Sequence, residues 1–375
     1  MKAVVYHGPY DVRVDNTPMP EIMDPEDAIV RVTTTAICGS DLHLYHGSVP
    51  GMEPGLTLGH EFMGIVEEVG PEVHEIARGD RVVLPFNVSC GKCWYCRRGL
   101  WSQCDRSNAN APVGAAFGYG QALGGYDGGQ AEYVRVPYAN TDPLKIPEGL
   151  EDNEVIFLSD ILPTGYFGVD IARVSPGDDV AVFGAGPVGY FAVVSAFIRG
   201  AAMVLSIDNH EARLEKTRRL GARTINFDEE DPVEAIMEAT RGQGAVCVDA
   251  VGYEAQGHHA SPDVVNPAYP NENPIQVIQW ISQAGRKFST VGVPGVYLGS
   301  YNAFPFGDLF NREIQIHMGQ CPVKRYNEPL LHLIETGRIR PSELITNEMK
   351  LGEAPEAYDI FSRREDGVVK IVLKP

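Results

Sequence analysis

The apolar positions follow two different patterns along the chain. Before about residue 150, short runs rich in β-branched residues, such as 28–35 and 62–70, are separated by glycine and proline. Such punctuated runs are typical of a β-rich, barrel-like domain. From Asp179 onward, patterns of buried strands alternate with helical patterns, which indicates a parallel α/β sheet. The sequence therefore predicts two domains of different class.

This alternation is lost after Pro294. A helix near 329–336 and an apolar strand at 368–373 follow, and that strand is expected to return to the first domain. Between the later strands, residues 253–274 carry four prolines together with His258 and His259. No partner spacing supports a metal site at the two histidines, so an exposed loop is expected there.

Composition narrows the class of protein. The chain has 375 residues, 44% hydrophobic and 22% charged, which is the balance of a globular protein with more than one domain. Its formal net charge of −19 argues against binding nucleic acid or an anionic membrane surface. The uncharged run 180–198 is interrupted by glycine and proline, so it fits a strand, a turn and a buried helix better than a membrane span. No signal-peptide pattern precedes the first strand, and we expect a cytoplasmic protein.

Cysteine usage favours metal binding in a reducing compartment over a disulfide framework. The count is seven, and four of these cysteines are bunched at Cys90, Cys93, Cys96 and Cys104. Such thiolates can wrap one tetrahedral zinc ion, and a closed shell leaves no position for substrate. A structural zinc lobe is therefore predicted at about 88–106. An iron–sulfur cluster uses the same ligands, but nothing else in the sequence indicates electron transfer.

A second group of possible ligands lies between Cys38 and Glu61. The thiol of Cys38, the imidazole of His60 and the carboxylate of Glu61 are placed where they can share one metal ion. Ser40 and His43 add a hydroxyl and a second imidazole beside the thiol. This stretch predicts the first half of a catalytic zinc site. Spacing alone leaves three candidates for the remaining ligand: Asp160, Cys247 and Cys321.

Residues 184–189 read G-x-G-x-x-G. The motif follows one strand, opens an apolar helix and precedes a second strand that ends in Asp208, about twenty residues on. Its glycines permit a tight turn and close approach of a pyrophosphate, to which the helix N-terminus offers free N–H groups. Asp208 is placed to bind the adenosine ribose hydroxyls and to repel a 2′-phosphate, which favours NAD over NADP. Arg213 either flanks the adenine or is a solvated helix arginine. The cofactor-binding positions predicted at the turn are Gly184, Gly186, Pro187, Val188 and Gly189.

The order of these motifs resembles that of the zinc-dependent medium-chain alcohol dehydrogenases, over essentially the whole chain. Within that group, the sequence is most similar to the glutathione-independent formaldehyde dehydrogenases. The stretches that carry this narrower resemblance are 85–90, 128–134, 158–166, 249–255 and 319–323.

The resemblance implies a fold class, a domain division and cofactors. The fold is α/β, with a β-rich GroES-like catalytic domain and a Rossmann doubly wound parallel-sheet domain that binds NAD. The catalytic domain is expected at 1–162, the Rossmann domain at 163–300, and a return to the catalytic domain at 301–375. Two zinc ions per chain are implied, one catalytic and one structural, and a homodimer or homotetramer is expected.

The resemblance also implies roles for single residues. Most of the superfamily has a cysteine ligand at the position of Asp160, whereas the formaldehyde dehydrogenase-like branch has aspartate there. Cys38, His60 and Asp160 are accordingly implied as the ligands of the catalytic zinc. Glu61 becomes a nearby carboxylate that can bind zinc during ligand exchange, and Asp41 orients His60. Thr164 is expected to contribute to NAD binding.

The implied reaction is hydride transfer to NAD from a small alcohol or an aldehyde hydrate, and a formaldehyde-like substrate is expected. Zinc is expected to act as a Lewis acid. Ser40 is expected to take the hydroxyl proton and pass it through the NAD ribose to His43 and solvent. A sugar, polyol or threonine dehydrogenase of the same superfamily is the alternative. A dinucleotide-binding protein without catalysis is a more remote one.

Overall fold

The computed structural model describes residues 1–49, 51–109, 111–255, 274–363 and 367–375, so His258 and His259 lie outside the described residues. The chain divides into two compact units. The first contains Met1–Pro163 and Pro322–Pro375, and the second contains Thr164–Cys321. Of the helices described, none has the length and apolar character that crossing a bilayer requires.

The elements are numbered in chain order. The strands are β1 (Lys2–Gly8), β2 (Asp11–Asn16), β3 (Ala28–Ile37), β4 (Glu61–Val69), β5 (Arg81–Leu84), β6 (Asn87–Val88), β7 (Ala115–Ala116), β8 (Tyr133–Val136), β9 (Leu144–Lys145), β10 (Asp179–Phe183), β11 (Met203–Asp208), β12 (Arg223–Asn226), β13 (Val246–Asp249), β14 (Thr290–Val293), β15 (Gln315–Met318), β16 (Asn347–Lys350) and β17 (Ile371–Lys374). The α-helices are α1 (Gly39–Tyr45), α2 (Asp152–Val155), α3 (Ile161–Ile171), α4 (Pro187–Ile198), α5 (Glu211–Arg219), α6 (Pro232–Ala239), α7 (Gln276–Ala284), α8 (Phe306–Asn311), α9 (Asn327–Glu335) and α10 (Ala354–Ser362). Short 3₁₀ turns include Cys96–Arg98, Trp101–Gln103, Gln121–Leu123, Ile156–Ser159, Gly252–Glu254, Val323–Arg325, Pro341–Leu344 and Leu351–Glu353.

The first unit is built on a mainly antiparallel sheet with the strand order β16-β17-β3-β4-β5-β9, and β8 joins it beside β3. The central strand β3 is rich in valine, isoleucine and threonine, which suit a pleated strand covered on both faces. β3 and β4 pair antiparallel, with Ala36 opposite Glu61. That pairing brings the residues just after β3 next to the residues that begin β4.

The C-terminal segment closes one side of this sheet. β17 pairs antiparallel with β3, with Ile371 opposite Ile37, and β16 runs parallel to β17. The residue just before β17 is Lys370, whose side chain is fully buried. The return of the chain therefore places a buried lysine beside the end of β3.

The second unit contains a six-stranded parallel sheet with the order β12-β11-β10-β13-β14-β15. This is the order of a doubly wound dinucleotide-binding sheet, in which the direction of winding reverses between β10 and β13. Both of these strands are buried on both faces, which explains why their sequences are nearly continuous apolar runs. The predicted fold class, a β-rich domain combined with a doubly wound parallel sheet, is confirmed.

The last strand of this sheet, β15, was not predicted from the apolar pattern. β15 has only four residues, Gln-Ile-His-Met, and most of its side chains are exposed. It nevertheless pairs in parallel with β14 along its length. Its polar and apolar residues alternate, but so short an alternation gives only a weak strand signal. It carries the second unit on to Cys321, whereas the Rossmann domain was predicted to end at residue 300.

Candidate functional site

Cys38 sits at the turn from β3 into α1. Its backbone is extended (φ −99°, ψ 157°), and it occupies the N-cap position of the helix. The Cys38 N–H donates to Oδ2 of Asp41 at 2.9 Å, and the Asp41 N–H donates to the carbonyl of Cys38 at 3.1 Å. The acidic side chain in the first helical turn thus closes the turn and fixes the direction of the thiol.

Four buried residues converge at this turn. Sγ of Cys38 and the ligand atoms of His60, Glu61 and Asp160 all lie within 4.8 Å of one another. Oδ2 of Asp160 is 3.8 Å from Sγ of Cys38 and 3.2 Å from Nε2 of His60. His60 and Glu61 come from the start of β4, and Asp160 comes from the bend between the turn at Ile156–Ser159 and α3. All four belong to the first unit.

Asp160 is the one candidate for the remaining ligand that the structure brings to this cluster. Cys247 lies fully buried in β13 of the second unit, and Cys321 is the last residue of that unit. Among the described residues, neither of these cysteines belongs to a group of potential metal ligands. Of the three ligand candidates that spacing left open, Asp160 is therefore the one that the fold favours.

The chemistry of the cluster fits zinc. Thiolate sulfur, imidazole nitrogen and carboxylate oxygen are the donors that zinc binds in proteins. Oε1 of Glu61 accepts a hydrogen bond from Lys370, and Oε2 lies 2.8 Å from the same buried ammonium. Glu61 thus already has a cationic partner, and the donor set that fits a metal ion is that of Cys38, His60 and Asp160. The cluster can accommodate one metal ion.

The charges of the cluster also favour a cation. Burial raises the pKa of the Cys38 thiol, and the charge of Glu61 adds to the effect. Burial lowers the pKa of His60, but the charge of Asp41 and the contact with Asp160 outweigh it, and the His60 pKa is raised well above its usual value. Negative charge is therefore concentrated at this cluster, and a bound metal ion would reduce the repulsion.

His60 is connected to a series of buried polar side chains. Nδ1 of His60 lies 3.1 Å from Oδ1 of Asp41, which turns Nε2 toward the cluster. The Gln130 amide donates to Oδ2 of Asp41 at 3.3 Å, and the Tyr358 hydroxyl donates to Oε1 of Gln130 at 2.8 Å. Such contacts fix the orientation and tautomer of a metal-binding histidine. Gln130 and Tyr358 did not emerge from the sequence, because their link to His60 exists only in the folded chain.

Lys370 is another residue that sequence reasoning missed. Its Nζ lies 2.8 Å from each carboxylate oxygen of Glu61 and 2.9 Å from the carbonyl oxygen of Ile37. Burial lowers the pKa of Lys370, but the charge and hydrogen bond of Glu61, together with the charges of Cys38 and Asp160, outweigh it and the net shift is upward. The pKa of Glu61 is raised by burial and lowered by Lys370, with burial dominant. The available signal was a single lysine inside the apolar run 368–373, because a lone charge in a buried strand needs a partner.

Ser40 and His43 both lie on α1, three positions apart and hence on one side of the helix. Oγ of Ser40 is 3.8 Å from Sγ of Cys38. The side chain of Ser40 is half-buried, and that of His43 is buried. The carbonyl of Ser40 accepts a hydrogen bond from the Tyr119 hydroxyl at 2.9 Å, which anchors this turn to the segment 114–129, itself dense in glycine.

The four-cysteine lobe forms a second potential metal site. The sulfur atoms of Cys90, Cys93, Cys96 and Cys104 are buried and lie within 4.8 Å of one another. Backbone N–H groups point at the sulfurs, with Cys90 N 3.3 Å from Sγ of Cys104 and Cys96 N 3.4 Å from Sγ of Cys93. Hydrogen bonds of this kind stabilise thiolates. The arrangement fits a closed tetrahedral zinc site, so the two clusters together fit two zinc ions per chain.

The glycine-rich turn lies at the carboxyl end of β10. Gly184 has a φ of 88°, and a Cβ at Gly189 would lie 1.8 Å from the carbonyl oxygen of Gly184. Both positions therefore require glycine for the backbone to turn and for α4 to pack against it. Pro187 begins α4, and Val188 follows it with a half-buried side chain.

Gly186 caps α4 and leaves open space in front of the helix N-terminus. A Cβ there would have only Nη1 of Arg213 nearby, at 3.9 Å. That space fits a phosphate group, because the first N–H groups of a helix lack intrahelical acceptors. The turn can therefore accommodate the pyrophosphate of a dinucleotide.

Asp208 ends β11 beside this turn and is held by the backbone. Its Oδ2 accepts the Ala185 N–H at 2.8 Å, and its Oδ1 accepts the N–H groups of Asn209 and His210 at 2.8 and 3.0 Å. Nη1 of Arg213 lies 3.8 Å from Oδ2 of Asp208. Thr164 lies buried on α3 of the same unit. The acid predicted to select the cofactor is thus fixed at the end of the strand next to the glycine-rich turn.

Comparison with known proteins agrees with this architecture. Residues 24–148 match the family described as "Alcohol dehydrogenase GroES-like domain". The chain is 43% identical, over the full length of both proteins, to an uncharacterized zinc-type alcohol dehydrogenase-like protein, AdhB, of Bacillus subtilis. It is 38% identical to a glutathione-independent formaldehyde dehydrogenase of Pseudomonas aeruginosa, with 96% of this chain and 94% of that protein covered.

A solved structure supports the same assignment. The alcohol dehydrogenase TADH from Thermus sp. ATN1 superposes with a TM-score of 0.87 at 36% identity, covering 100% of this chain and 99% of that one. Similarity of this extent covers both units and both clusters of ligands. The chain belongs to the zinc-type alcohol dehydrogenase family and is an oxidoreductase.

Proposed function

We propose that the protein transfers hydride from a small alcohol or an aldehyde hydrate to NAD. The observation that carries the proposal is the buried cluster in which one thiol, one imidazole and two carboxylates bring their ligand atoms within 4.8 Å of one another. Cys38, His60 and Asp160 are the proposed ligands of a catalytic zinc. Three protein ligands leave one position for substrate oxygen, unlike the four-cysteine site.

Zinc and NAD would supply the reactive chemistry when bound. Bound zinc would act as a Lewis acid that makes an alcohol easier to deprotonate, and bound NAD would accept the hydride. Cys38, Cys90, Cys93, Cys96, Cys104, His60 and Asp160 are the residues that would hold the two metal ions. The protein's own contribution is to bind, orient and shield the reacting groups.

Ser40 and His43 are the proposed route for the proton. The Ser40 hydroxyl lies 3.8 Å from the Cys38 sulfur, so it stands beside any oxygen that shares the metal with that sulfur. A hydroxyl can accept the substrate proton while donating its own onward. His43 lies on the same side of α1, and an imidazole can release a proton to solvent near neutral pH.

The preference for NAD is supported by Asp208. Three backbone N–H groups hold its carboxylate at the end of β11. A carboxylate fixed there binds ribose hydroxyls and repels a 2′-phosphate. Arg213 partly balances that charge at 3.8 Å, and it is proposed to flank the adenine end of the cofactor. Thr164 is proposed as a further contact to NAD.

One relative supports the proposed substrate class. The formaldehyde dehydrogenase of Pseudomonas aeruginosa is 38% identical, and this supports a formaldehyde-like substrate. We expect the chain to act on short alcohols or aldehydes in preference to polyols or threonine.

A substrate panel tests the proposal. The purified protein would be assayed with formaldehyde, short alcohols, benzyl alcohol, polyols and threonine, each with NAD and with NADP, by following reduced cofactor. Turnover of small alcohols or aldehydes with NAD, lost after metal removal and regained with zinc, is expected. Equal NAD reduction by the metal-free and metal-loaded protein would refute zinc-dependent catalysis, and a clear preference for polyols would shift the substrate class.

A further inference from the structure

Lys370 occupies a position in which a charge is tolerated only with partners. The ammonium is fully buried. It lies 2.8 Å from both carboxylate oxygens of Glu61, 2.9 Å from the carbonyl oxygen of Ile37, and 5.5 Å from the centre of the Phe157 ring. A lysine without such partners would be strongly disfavoured in this space.

The lysine is also fixed in place by its backbone. Its N–H donates to Oγ1 of Thr346 at 3.2 Å, and its carbonyl accepts from the hydroxyl of the same threonine at 3.0 Å. Ile37, which accepts from the ammonium, immediately precedes Cys38. The ammonium therefore bridges the backbone beside one proposed ligand and the side chain of Glu61.

Glu61 needs such a restraint. Its ligand atom lies within 4.8 Å of those of Cys38, His60 and Asp160. If all four bound one zinc ion, the shell would be closed, as in a structural site, and substrate would find no position. An open position for substrate therefore requires that Glu61 is held away from the metal.

Lys370 meets that requirement by its position and its charge. Its ammonium donates a hydrogen bond to Oε1 and lies 2.8 Å from Oε2, so its charge competes with a metal ion for this carboxylate. With a zinc ion present, Lys370 and zinc would supply three positive charges, and the ionised forms of Cys38, Asp160 and Glu61 would supply three negative ones. Each buried charge then has an opposite charge that offsets part of its desolvation cost.

We propose that Lys370 is a positioning residue that keeps Glu61 off the catalytic metal and so keeps its fourth coordination position free. This inference rests on the proposed function, because it takes Cys38, His60 and Asp160 as metal ligands. It adds that the free coordination position of the metal depends on a lysine from the C-terminal segment. Removal of the lysine releases Glu61, which then occupies the substrate position.

Cobalt substitution with an exogenous ligand tests this without turnover. The protein would be loaded with Co²⁺ and titrated with azide in the absence of NAD, and the change in visible absorption would report binding at the open position. The closed four-cysteine site contributes no azide signal. Lys370→Met is expected to weaken azide binding by about tenfold or more, because the freed carboxylate competes for the metal.

Two further variants distinguish a loss of Glu61 positioning from a general disruption of the metal site. Adding Glu61→Gln to Lys370→Met is expected to restore azide affinity to within about threefold of the unmodified protein, and Lys370→Arg to retain it. The matched control is Lys374→Met, because Lys374 ends β17, the strand that Lys370 immediately precedes, but contacts Thr34 and Asn153 at 2.8 and 2.9 Å. No change is expected for the control.

The single variant Glu61→Gln keeps the inference refutable even if Lys370→Met does not fold. Since Glu61 is proposed to be off the metal already, azide affinity is expected to stay within about threefold of the unmodified protein. A tenfold gain would show that Glu61 binds the metal despite Lys370 and would overturn the inference. Unchanged affinity in folded Lys370→Met would overturn it as well. Failure of the unmodified protein to take up Co²⁺ at an azide-sensitive site would instead refute the ligand set.

Discussion

Oδ2 of Asp160 lies 3.8 Å from Sγ of Cys38, although 122 positions of sequence separate the two residues. The connection depends on the bend after the turn at Ile156–Ser159, which is tied to the sheet by a hydrogen bond from the Phe86 N–H to the carbonyl of Ser159 at 3.0 Å. The cluster therefore forms only when residues 156–160 fold back against the chain that follows β5.

Asp160→Ala is expected to remove the catalytic metal while leaving the structural one. One of three proposed ligands is lost, so zinc content should fall from about two to about one per chain and activity by at least about 100-fold. Asp160→Cys, which supplies a thiolate at the same place, should retain both metals. Metal analysis of the purified proteins checks this. Two zinc ions in a folded Asp160→Ala protein would contradict the assignment.

Tyr358→Phe is expected to loosen the metal through Gln130 and Asp41. Loss of the 2.8 Å hydrogen bond leaves Oε1 of Gln130 unpaired in a buried site. Stability should fall by about 1–2 kcal/mol and zinc affinity at the catalytic site by roughly tenfold. The rate of zinc loss to a chelator measures the second effect. The control Tyr126→Phe removes a similar bond, from the Tyr126 hydroxyl to the carbonyl of Ser107 at 2.9 Å, and should leave that rate unchanged.

Gly186→Ala separates cofactor binding from folding. A Cβ at this position meets only Nη1 of Arg213, at 3.9 Å, so the protein should fold normally. The methyl group would project into the space proposed for the pyrophosphate, and the Kd for NAD should rise by about tenfold or more. Gly307→Ala in α8 is the matched control, because a Cβ there meets nothing within 4 Å. An unaltered Kd in Gly186→Ala would place the dinucleotide elsewhere.

Asp208→Asn should relax the choice of cofactor. The amide oxygen can still accept the N–H groups of Asn209 and His210, while the NH2 group replaces the oxygen that accepts the Ala185 N–H. The substitution removes the charge that would repel a 2′-phosphate. With Arg213 nearby, the ratio of kcat/KM for NADP to that for NAD should rise by roughly tenfold or more. Steady-state kinetics with both cofactors checks the prediction, with exposed Asp228→Asn as the control. If the ratio does not move, Asp208 has no part in discriminating the phosphate.

The local motifs were readable from sequence because each is built from neighbouring residues. The cysteine spacing of the lobe and the turn at Gly184 each carry their geometry within a few positions. Asp160 could be named only through a resemblance, since a single aspartate in an apolar stretch has no spacing signal. Its placement beside Cys38 required the fold.

The supporting residues show where sequence reasoning stops. Gln130, Tyr358 and Lys370 each act through contacts with residues far away in the chain, at separations of 89, 228 and 309 positions. Of these three residues, Lys370 alone left a trace, as a charge in an apolar strand. β15 left only a short alternation of polar and apolar residues, which is a weak strand signal. Long-range partners and very short strands are set by tertiary pairing, which a single sequence does not display.

The stability of the zinc lobe region is expected to depend on Asp142. This carboxyl accepts the Ser89 N–H at 2.6 Å and is also hydrogen-bonded to the Ser89 hydroxyl. Burial raises the pKa of Asp142 to about 7 from its ordinary value of 3.8, against the opposing effect of Ser89. Between these two values the native state holds a proton that the unfolded chain has already released. The native state is therefore favoured at low pH, and this contribution is lost as pH rises to about 7.

Asp142→Asn should remove that dependence, because the amide does not ionise and can still bond to Ser89. At about 1.4 kcal/mol per pH unit, the stability of the unmodified protein relative to the variant should fall by up to ~4 kcal/mol between pH 4 and pH 8. Urea unfolding of both proteins across this range measures the difference, and pH effects common to both cancel. Exposed Asp228→Asn should track the unmodified protein. A constant difference between Asp142→Asn and the unmodified protein would show that Asp142 is ionised throughout, with the two hydrogen bonds of Ser89 and the charge of Lys324 overcoming its burial.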